Sequence, residues 1–293
     1  MSEPDKKEDS SHRCLVAVLA HPDDESFGIG GTLAWYAQQG VEVRLICATR
    51  GEVGEVEAHL LNGFASVGDL REHELRCAAK CLALTSVDFL GYRDSGMAGS
   101  AENWHPRALM QAPLEEVATK IVYFLRKYRP QVVLTFDPAG GYHHPDHVAV
   151  NRAVEKAFYK AGDSRVEISG TTPFKPDKLY FHTMPSSFIR ILVKLMPLFG
   201  INPRRFGKNK DIDLTMMVKQ DFPIHARIHY RPVSALRDQA AACYASQGGA
   251  QTSGFVLTWI RNLLSSTDTF MRAYPLPVNS YIEGDLFEGI RQK

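Results

Sequence analysis

Cys14–Ala20 is an unbroken apolar run that stops abruptly at His21, Pro22, Asp23, Asp24 and Glu25. A short continuous apolar stretch of this kind predicts a strand buried on both faces. Behind it, Leu33, Ala34, Trp35 and Ala37 fall on a helical repeat closed by Gly40, and Val41–Cys47 predicts a second strand. Strand, helix and strand within about thirty residues form a βαβ unit, which implies a parallel pair. The alternation continues with a helix over 69–84, a strand over 87–90 and a helix over 114–128 set between Pro113 and Pro130. A strand over 131–135, a helix over 147–160 ended by Gly162 and a strand over 178–183 follow.

Beyond that point the order is less regular. Residues 188–199 are apolar apart from Arg190 and Lys194, 203–211 form a basic turn, and helices are expected over 233–246 and 254–264. The pattern predicts an α/β fold: a Rossmann-like, mostly parallel sheet flanked by helices, with an irregular C-terminal portion that helps to shape a site. Polar residues 1–13 read as a disordered tail, and 14–293 as one domain with its core over 14–184 and a cap with helices over 185–293.

Strand tips of a parallel sheet share one edge, where ligands bind in open α/β folds. The tips here carry His21–Glu25, Thr49–Glu55, Gly91–Gly99 and Phe136–Asp146, loops rich in Asp, Glu, Arg or His. Bulk composition narrows the partners. The 293 residues are 44% apolar and 23% charged with net charge +1, so nothing advertises nucleic acid. No apolar run reaches the length of a membrane span, and the N-terminus lacks a signal-peptide core. The five cysteines show no paired spacing and read as buried free thiols in a reducing, cytoplasmic compartment.

The chemistry concentrates in two clusters: His21, Asp23 and Asp24, and His143, His144, Asp146 and His147. Catalytic zinc takes three ligands of His and carboxylate type and keeps one open position. Taken singly, each residue also has a plain reading, as a helix-capping Asp or a hydrogen-bonded loop histidine. Two such clusters at adjacent tips favour the metal.

Ala20-His21-Pro22-Asp23-Asp24-Glu25, with Gly30-Gly31 behind it, resembles the signature of the PIG-L/LmbE-like zinc-dependent N-deacetylases, and His144-Pro145-Asp146-His147 resembles that family's second signature. Thr49–Gly54, Arg71–Leu75, Tyr92–Met97 and Gly140–Tyr142 are similar to the branch containing the mycothiol-pathway deacetylase and amidase. The resemblance implies His21, Asp24 and His147 as ligands of Zn2+, with Fe2+ or another divalent ion as alternatives. It implies Asp23 as general base for the attacking water, His144 as a protonated acid or oxyanion stabiliser, and Asp146 as the residue that orients His144 and favours its charged form. Tyr142 is placed to donate to the oxyanion. Arg71 and Asp94 correspond to sugar-hydroxyl contacts, with Glu52 and Met97 as further substrate contacts; Arg71 also reads as a surface ion pair on a helix. Tyr244 stands where the family often has His, Glu25 is left between helix cap and support for a ligand, and His143 reads as a bystander.

The implied activity is removal of an acetyl group from an N-acetylglucosamine-type amino sugar or glycoside, a small-molecule substrate. The alternatives are amide hydrolysis of a sugar–thiol conjugate and a non-enzymatic metal- or nucleotide-binding Rossmann module. For the last, Gly28-Ile-Gly30-Gly31 lacks the dinucleotide spacing. The apolar segment 188–199 has three readings: a core helix, a homo-oligomer interface or lid, or, together with the basic residues up to 208, a peripheral contact with an anionic lipid surface.

Overall fold

The computed structural model describes residues 13–184, 186–206, 213–249 and 266–290. The expected disordered tail (all but Arg13) and the expected helix over 254–264 lie outside these residues. The apolar run becomes β1 (Cys14–Leu19), fully covered on both faces. Six further strands join it: β2 (Glu42–Thr49), β3 (Ser86–Tyr92), β4 (Val132–Phe136), β5 (Lys178–Thr183), β6 (Ala226–His229) and β7 (Thr267–Tyr274). They form one seven-stranded sheet in the order β3-β2-β1-β4-β5-β7-β6. β1 to β5 are mutually parallel, while β7 runs antiparallel to both β5 and β6. The mostly parallel α/β fold is as the sequence implies. Strands β6 and β7, of which only β7 runs against the others, are an addition from a region read as irregular.

Each crossover helix forms where its apolar stripe meets the sheet. α3 (Leu114–Tyr128) buries Val117, Ala118, Ile121, Val122 and Leu125 at helical spacing, with Glu115 and Glu116 in its first turn and Arg126 and Lys127 in its last, as the helix dipole favours. Arg129 then turns left-handed (φ 51°) ahead of Pro130. α3 packs with α4 (Pro145–Ala161), whereas α1 (Gly30–Gln38) and α2 (Val67–Cys81) pack with α7 (Ser234–Ala242). Right-handed crossovers place these two groups on opposite faces. The close approach of α1 to Tyr230 demands Gly31, because a Cβ there would fall 2.2 Å from the tyrosine ring.

The apolar segment over 188–199 becomes α5 (Ser186–Leu195) and a short 3-10 turn (Met196–Phe199). Ile189 and Met196 are buried against Leu214 and Met217 of α6 (Leu214–Met217), with Tyr142 packed on this small cluster. Ile191, Leu195, Leu198 and Phe199 are exposed, so the helix covers a small cluster on one side and faces outward on the other.

The cysteine expectation is corrected. Cys77 at the end of α2 is joined to Cys243, directly after α7, by a disulfide. Cys14, Cys47 and Cys81 are free, the first two buried.

Candidate active site

Strand order reverses direction between β1 and β4, and that switch point is where an open α/β sheet leaves a crevice. β1 delivers His21 there, and the β4 loop delivers His144 and His147 at the start of α4. The rings of His21 and His144 lie 4.5 Å apart, those of His21 and His147 5.3 Å apart. Thr49 anchors the tip of β1 by donating its N–H and its hydroxyl to the carbonyl of Ala20 at 2.9 and 3.0 Å. His147 is held flat by Phe136, stacked at 3.9 Å with 8° between the planes.

Asp24 sits between the two histidines. Its Oδ2 is 3.5 Å from His21 Nδ1, and its Oδ1 is 3.2 Å from His147 Nε2. Tetrahedral ligands at zinc bond lengths are separated by about 3.3 Å, so both distances match edges of one coordination shell. His147 Nε2 is buried and has no hydrogen-bond partner, an atom that a cation would satisfy. His21, Asp24 and His147 therefore fit a divalent metal ion. His144 brings a ring nitrogen close to the other two histidines, and Asp94 and Asp146 group around His21.

The far side of His21 is fixed by carboxylates. Its Nε2 lies 3.1 Å from Asp146 Oδ2 and 3.5 Å from Asp94 Oδ1. A metal on Nδ1 would leave the proton on Nε2, which would then donate to Asp146, the usual orienting contact of a metal-binding histidine. Asp146 also accepts from the backbone N–H of Ser95 at 2.9 Å and from the Ser95 hydroxyl. The Asp146 carboxylate thus meets His21 and Ser95, where the sequence pattern points to His144. Only the Asp146 backbone N–H reaches that ring, donating to His144 Nδ1 at 3.2 Å. Burial first, then the neighbouring His21 and His147, hold the His144 imidazole well below the usual range. With Nδ1 accepting, the neutral ring presents Nε2–H as a donor.

Asp23 occupies a backbone conformation unusual for a side-chain-bearing residue, with φ 122°. The turn is locked from two sides. Asp23 N–H donates to Glu25 Oε2 at 3.1 Å, and Arg71 Nη2 donates to Asp23 Oδ2 at 2.9 Å. Burial pushes the Asp23 carboxyl up to about 7, against the pull of Arg71. Arg71 is itself buried and donates also to the carbonyls of Pro22 and Gly51. It is buried and not a surface ion pair; its guanidinium clamps the Asp23 turn. Gly51 (φ 65°) makes room for it, since a Cβ would lie 2.1 Å from Arg71 Nη1.

The remaining predicted residues lie around this centre. Asp94 accepts from Gly96 N–H at 2.8 Å, and its own N–H donates to Glu52 Oε2 at 3.1 Å, tying the β3 loop to the β2 loop. Burial opposes ionisation of Asp94, but His21 beside it holds the carboxyl well below its usual range. Met97 is half-buried in the same loop. The Tyr142 ring stands edge-on to His144 and His147, at 6.0 and 5.2 Å. His143 faces outward and meets Gln220 at 2.7 Å.

Three supporting residues carried no assigned role in the sequence reading. Ser95 holds Asp146, Tyr244 donates its hydroxyl to Glu25 Oε1 at 2.7 Å, and Glu74 accepts from Ser246 N–H at 2.8 Å. Ser95 lies inside the Tyr92–Met97 motif, so its position was visible though its partner was not.

A profile of the PIG-L family, described as GlcNAc-PI de-N-acetylase, matches residues 16–158. A 1D-myo-inositol 2-acetamido-2-deoxy-alpha-D-glucopyranoside deacetylase of Streptomyces avermitilis is 35% identical, the match covering 96% of this chain and 99% of that one. The chain belongs to the PIG-L family. Solved structures place this PIG-L member in a widely used fold. N,N'-diacetylchitobiose deacetylase from Pyrococcus horikoshii aligns with a TM-score of 0.62 at 18% identity, covering 91% of this chain and 88% of that one. GalB, a 4-carboxy-2-hydroxymuconate hydratase from Pseudomonas putida, aligns at 0.57 with 18% identity, covering 91% and 98%. One fold hosting a deacetylase and a hydratase shows that architecture alone does not select the reaction.

Proposed function

We propose that the chain is a metal-dependent deacetylase that hydrolyses the acetamide of an N-acetylglucosamine-type glycoside to acetate and a free amine. The observation that carries the reading is the placement of a clamped carboxylate, Asp23, beside a buried His21–Asp24–His147 set. The full-length similarity to a deacetylase of a GlcNAc–inositol glycoside supports the substrate class.

His21, Asp24 and His147 would hold the cation, zinc or iron(II). When bound, a divalent cation polarises the amide carbonyl and acidifies water near it. Asp23 takes the proton of the attacking water and passes it to the departing amine. Arg71 and Glu25 keep that carboxylate aimed during the transfer. His144 donates Nε2–H to the carbonyl oxygen as charge develops, and Tyr142 assists from the same side. Asp94 and Glu52, from two tied loops, accept sugar hydroxyls, and Met97 contacts the sugar.

The test is acetate release from a panel of N-acetylglucosamine glycosides, with bound metal measured in parallel. Release that stops on chelation and in Asp23→Asn, with metal retained in the variant, supports the reading. A metal-loaded protein that releases no acetate from any member overturns it.

We further propose that α5 rests on an anionic lipid surface. Leu198 and Phe199 are 76% and 64% exposed. Arg190, Lys194, Arg204 and Arg205 are exposed around them, and no acidic residue occurs between Asp177 and Asp211. Among the described residues no helix is long and apolar enough to cross a membrane, so the contact is peripheral. Co-sedimentation with phosphatidylglycerol vesicles, lost in Leu198→Glu/Phe199→Glu, is expected. Recovery with phosphatidylglycerol vesicles no higher than with neutral vesicles or with none removes the proposal.

A further inference from the structure

Three sulfurs converge where α2 meets the chain just after α7. Cys77 and Cys81 stand one turn apart on α2, so both project toward the same neighbour. That neighbour is Cys243. It is bonded to Cys77 across 166 residues of sequence, and its Sγ lies 3.8 Å from Cys81 Sγ. All three sulfurs lie within 4.8 Å of one another, with Cys77 exposed and the other two partly so. The other two cysteines contrast with them: Cys14 and Cys47 are fully covered, and burial pushes both thiols up, that of Cys14 to about 12. Reactive thiol chemistry therefore belongs to the trio.

We propose that Cys77, Cys81 and Cys243 form a thiol–disulfide exchange site whose ligand is a small thiol or its disulfide, with Cys243 as the shared sulfur. In the internal step the Cys81 thiolate attacks Cys243 Sγ. The Cys81–Cys243 bond forms, the Cys77–Cys243 bond breaks, and the electron pair leaves on Cys77 Sγ, which takes up the proton that Cys81 released. There is no net oxidation. With a small thiol as reductant, one molecule forms a mixed disulfide with the protein and a second releases it as the small disulfide. Two electrons pass to the protein, leaving two thiols there; excess small disulfide reverses the sequence.

The trio is connected to the turn that carries Asp23. Cys243 immediately precedes Tyr244, whose hydroxyl donates to Glu25, the acceptor of Asp23 N–H. Two residues further on, Ser246 bonds Glu74 of α2 through both its N–H and its hydroxyl. The disulfide and the Ser246–Glu74 contact thus pin one short stretch to α2 on both sides of Tyr244. Opening the disulfide leaves one of the two pins, so the redox state of the trio acts on the support of Asp23. This effect on turnover rests on the deacetylase reading, whereas the exchange does not.

The experiment equilibrates the full chain in buffers of reduced and oxidised glutathione, quenches with acid, alkylates and maps tryptic peptides by mass spectrometry. Lys80 lies between Cys77 and Cys81, so trypsin separates their peptides. Both Cys77–Cys243 and Cys81–Cys243 links are expected in the wild type, in amounts within roughly tenfold of each other. Cys77→Ser should still link Cys81 to Cys243, and Cys81→Ser should link Cys77 to Cys243. The exchange site is overturned if the wild type shows only the first link and Cys77→Ser leaves Cys81 and Cys243 alkylated where Cys81→Ser is linked. For the coupling, kcat of the wild type should change at least twofold between the two buffers, while Cys77→Ser/Cys81→Ser, which can form neither link, should not respond. Equal responses overturn the coupling. Absence of acetate release would overturn the deacetylase reading and leave the peptide map to decide the exchange.

Discussion

Glu25 accepts a hydrogen bond from the backbone N–H of Asp23 at 3.1 Å, two residues before it. The sequence left Glu25 without a settled task. Its carboxylate is buried and also accepts from Ser26 and Tyr244, at 2.6 and 2.7 Å. It closes the turn that holds Asp23 at positive φ, a conformation that reverts when its hydrogen bonds are lost. Glu25→Met removes both acceptor oxygens and leaves Asp23 N–H and Tyr244 O–H without them. We expect kcat to fall roughly tenfold or more, about 1.4 kcal/mol or more, with metal content unchanged. Tyr244→Phe, which removes one donor only, should give a smaller loss. Steady-state kinetics beside metal analysis tests both; a kcat equal to wild type in Glu25→Met refutes the role.

Arg71 supplies the only cation within hydrogen-bond reach of Asp23 among the described residues. Burial raises the Asp23 carboxyl and Arg71 lowers it. Removing the guanidinium therefore moves the carboxyl upward. Turnover needs it ionised, so the acid limb of the kcat profile should shift to higher pH in Arg71→Ala. Arg71→Lys should shift it less yet still lose activity, because a single ammonium cannot bond Pro22, Gly51 and Asp23 together. A pH–rate series checks this, and an unmoved acid limb in Arg71→Ala would count against the clamp.

What the sequence discloses and what it hides divide by the range of the contacts. His21, Asp24 and His147 were legible because each sits at a strand tip or helix start, and parallel topology brings those points to one edge whatever the side chains do. Arg71 was ambiguous: on a polar helix face nothing local distinguishes a solvated arginine from one drawn inward, and its burial depends on Gly51 leaving space twenty residues earlier. The partners of the Asp146 carboxylate are hidden for the same reason. Its sequence neighbour His144 offered the obvious partner, while the real ones, His21 and Ser95, lie 125 and 51 residues away. β6 is four residues long with alternating burial, too short to stand out from a loop, and it exists because β7 offers an edge. The Cys77–Cys243 pair required knowing that α2 and α7 touch.

Asp268 gives a pH prediction remote from the metal ligands. Its carboxylate accepts from Thr32 N–H and Oγ1 at 2.9 and 2.6 Å, and burial pushes it up to about 6. The folded state thus takes up this proton at higher pH than the unfolded chain, whose ordinary value is 3.8. The ionised carboxylate costs the folded state roughly 3 kcal/mol above pH 6, and the cost fades as pH falls toward 4. Asp268→Asn keeps an acceptor for both Thr32 donors without the charge. It should be more stable than wild type in urea at pH 8, with the difference shrinking toward pH 4. An equal or lower midpoint at pH 8 would contradict the burial argument.

Asp146 and Asp24 are both carboxylates beside His21, yet their substitution should separate cleanly. Asp24 faces Nδ1 of His21 and Nε2 of His147, the atoms turned toward the cation position. Asp146 faces the opposite nitrogen of His21 and is anchored by Ser95. A carboxylate accepting from the far side of a ligating imidazole fixes its tautomer and raises its basicity, and losing it weakens metal affinity by about 10–100-fold. Asp146→Asn should therefore still load with metal at high concentration but release it to a competing chelator at about 10–100-fold lower chelator activity. Asp24→Asn, deprived of a ligand, should fail to retain metal through purification. The comparison also tests the reassignment of Asp146 from His144 to His21. If Asp146 served His144 alone, metal titration of Asp146→Asn would match wild type while kcat fell; coupled loss of affinity places it behind the metal ligand.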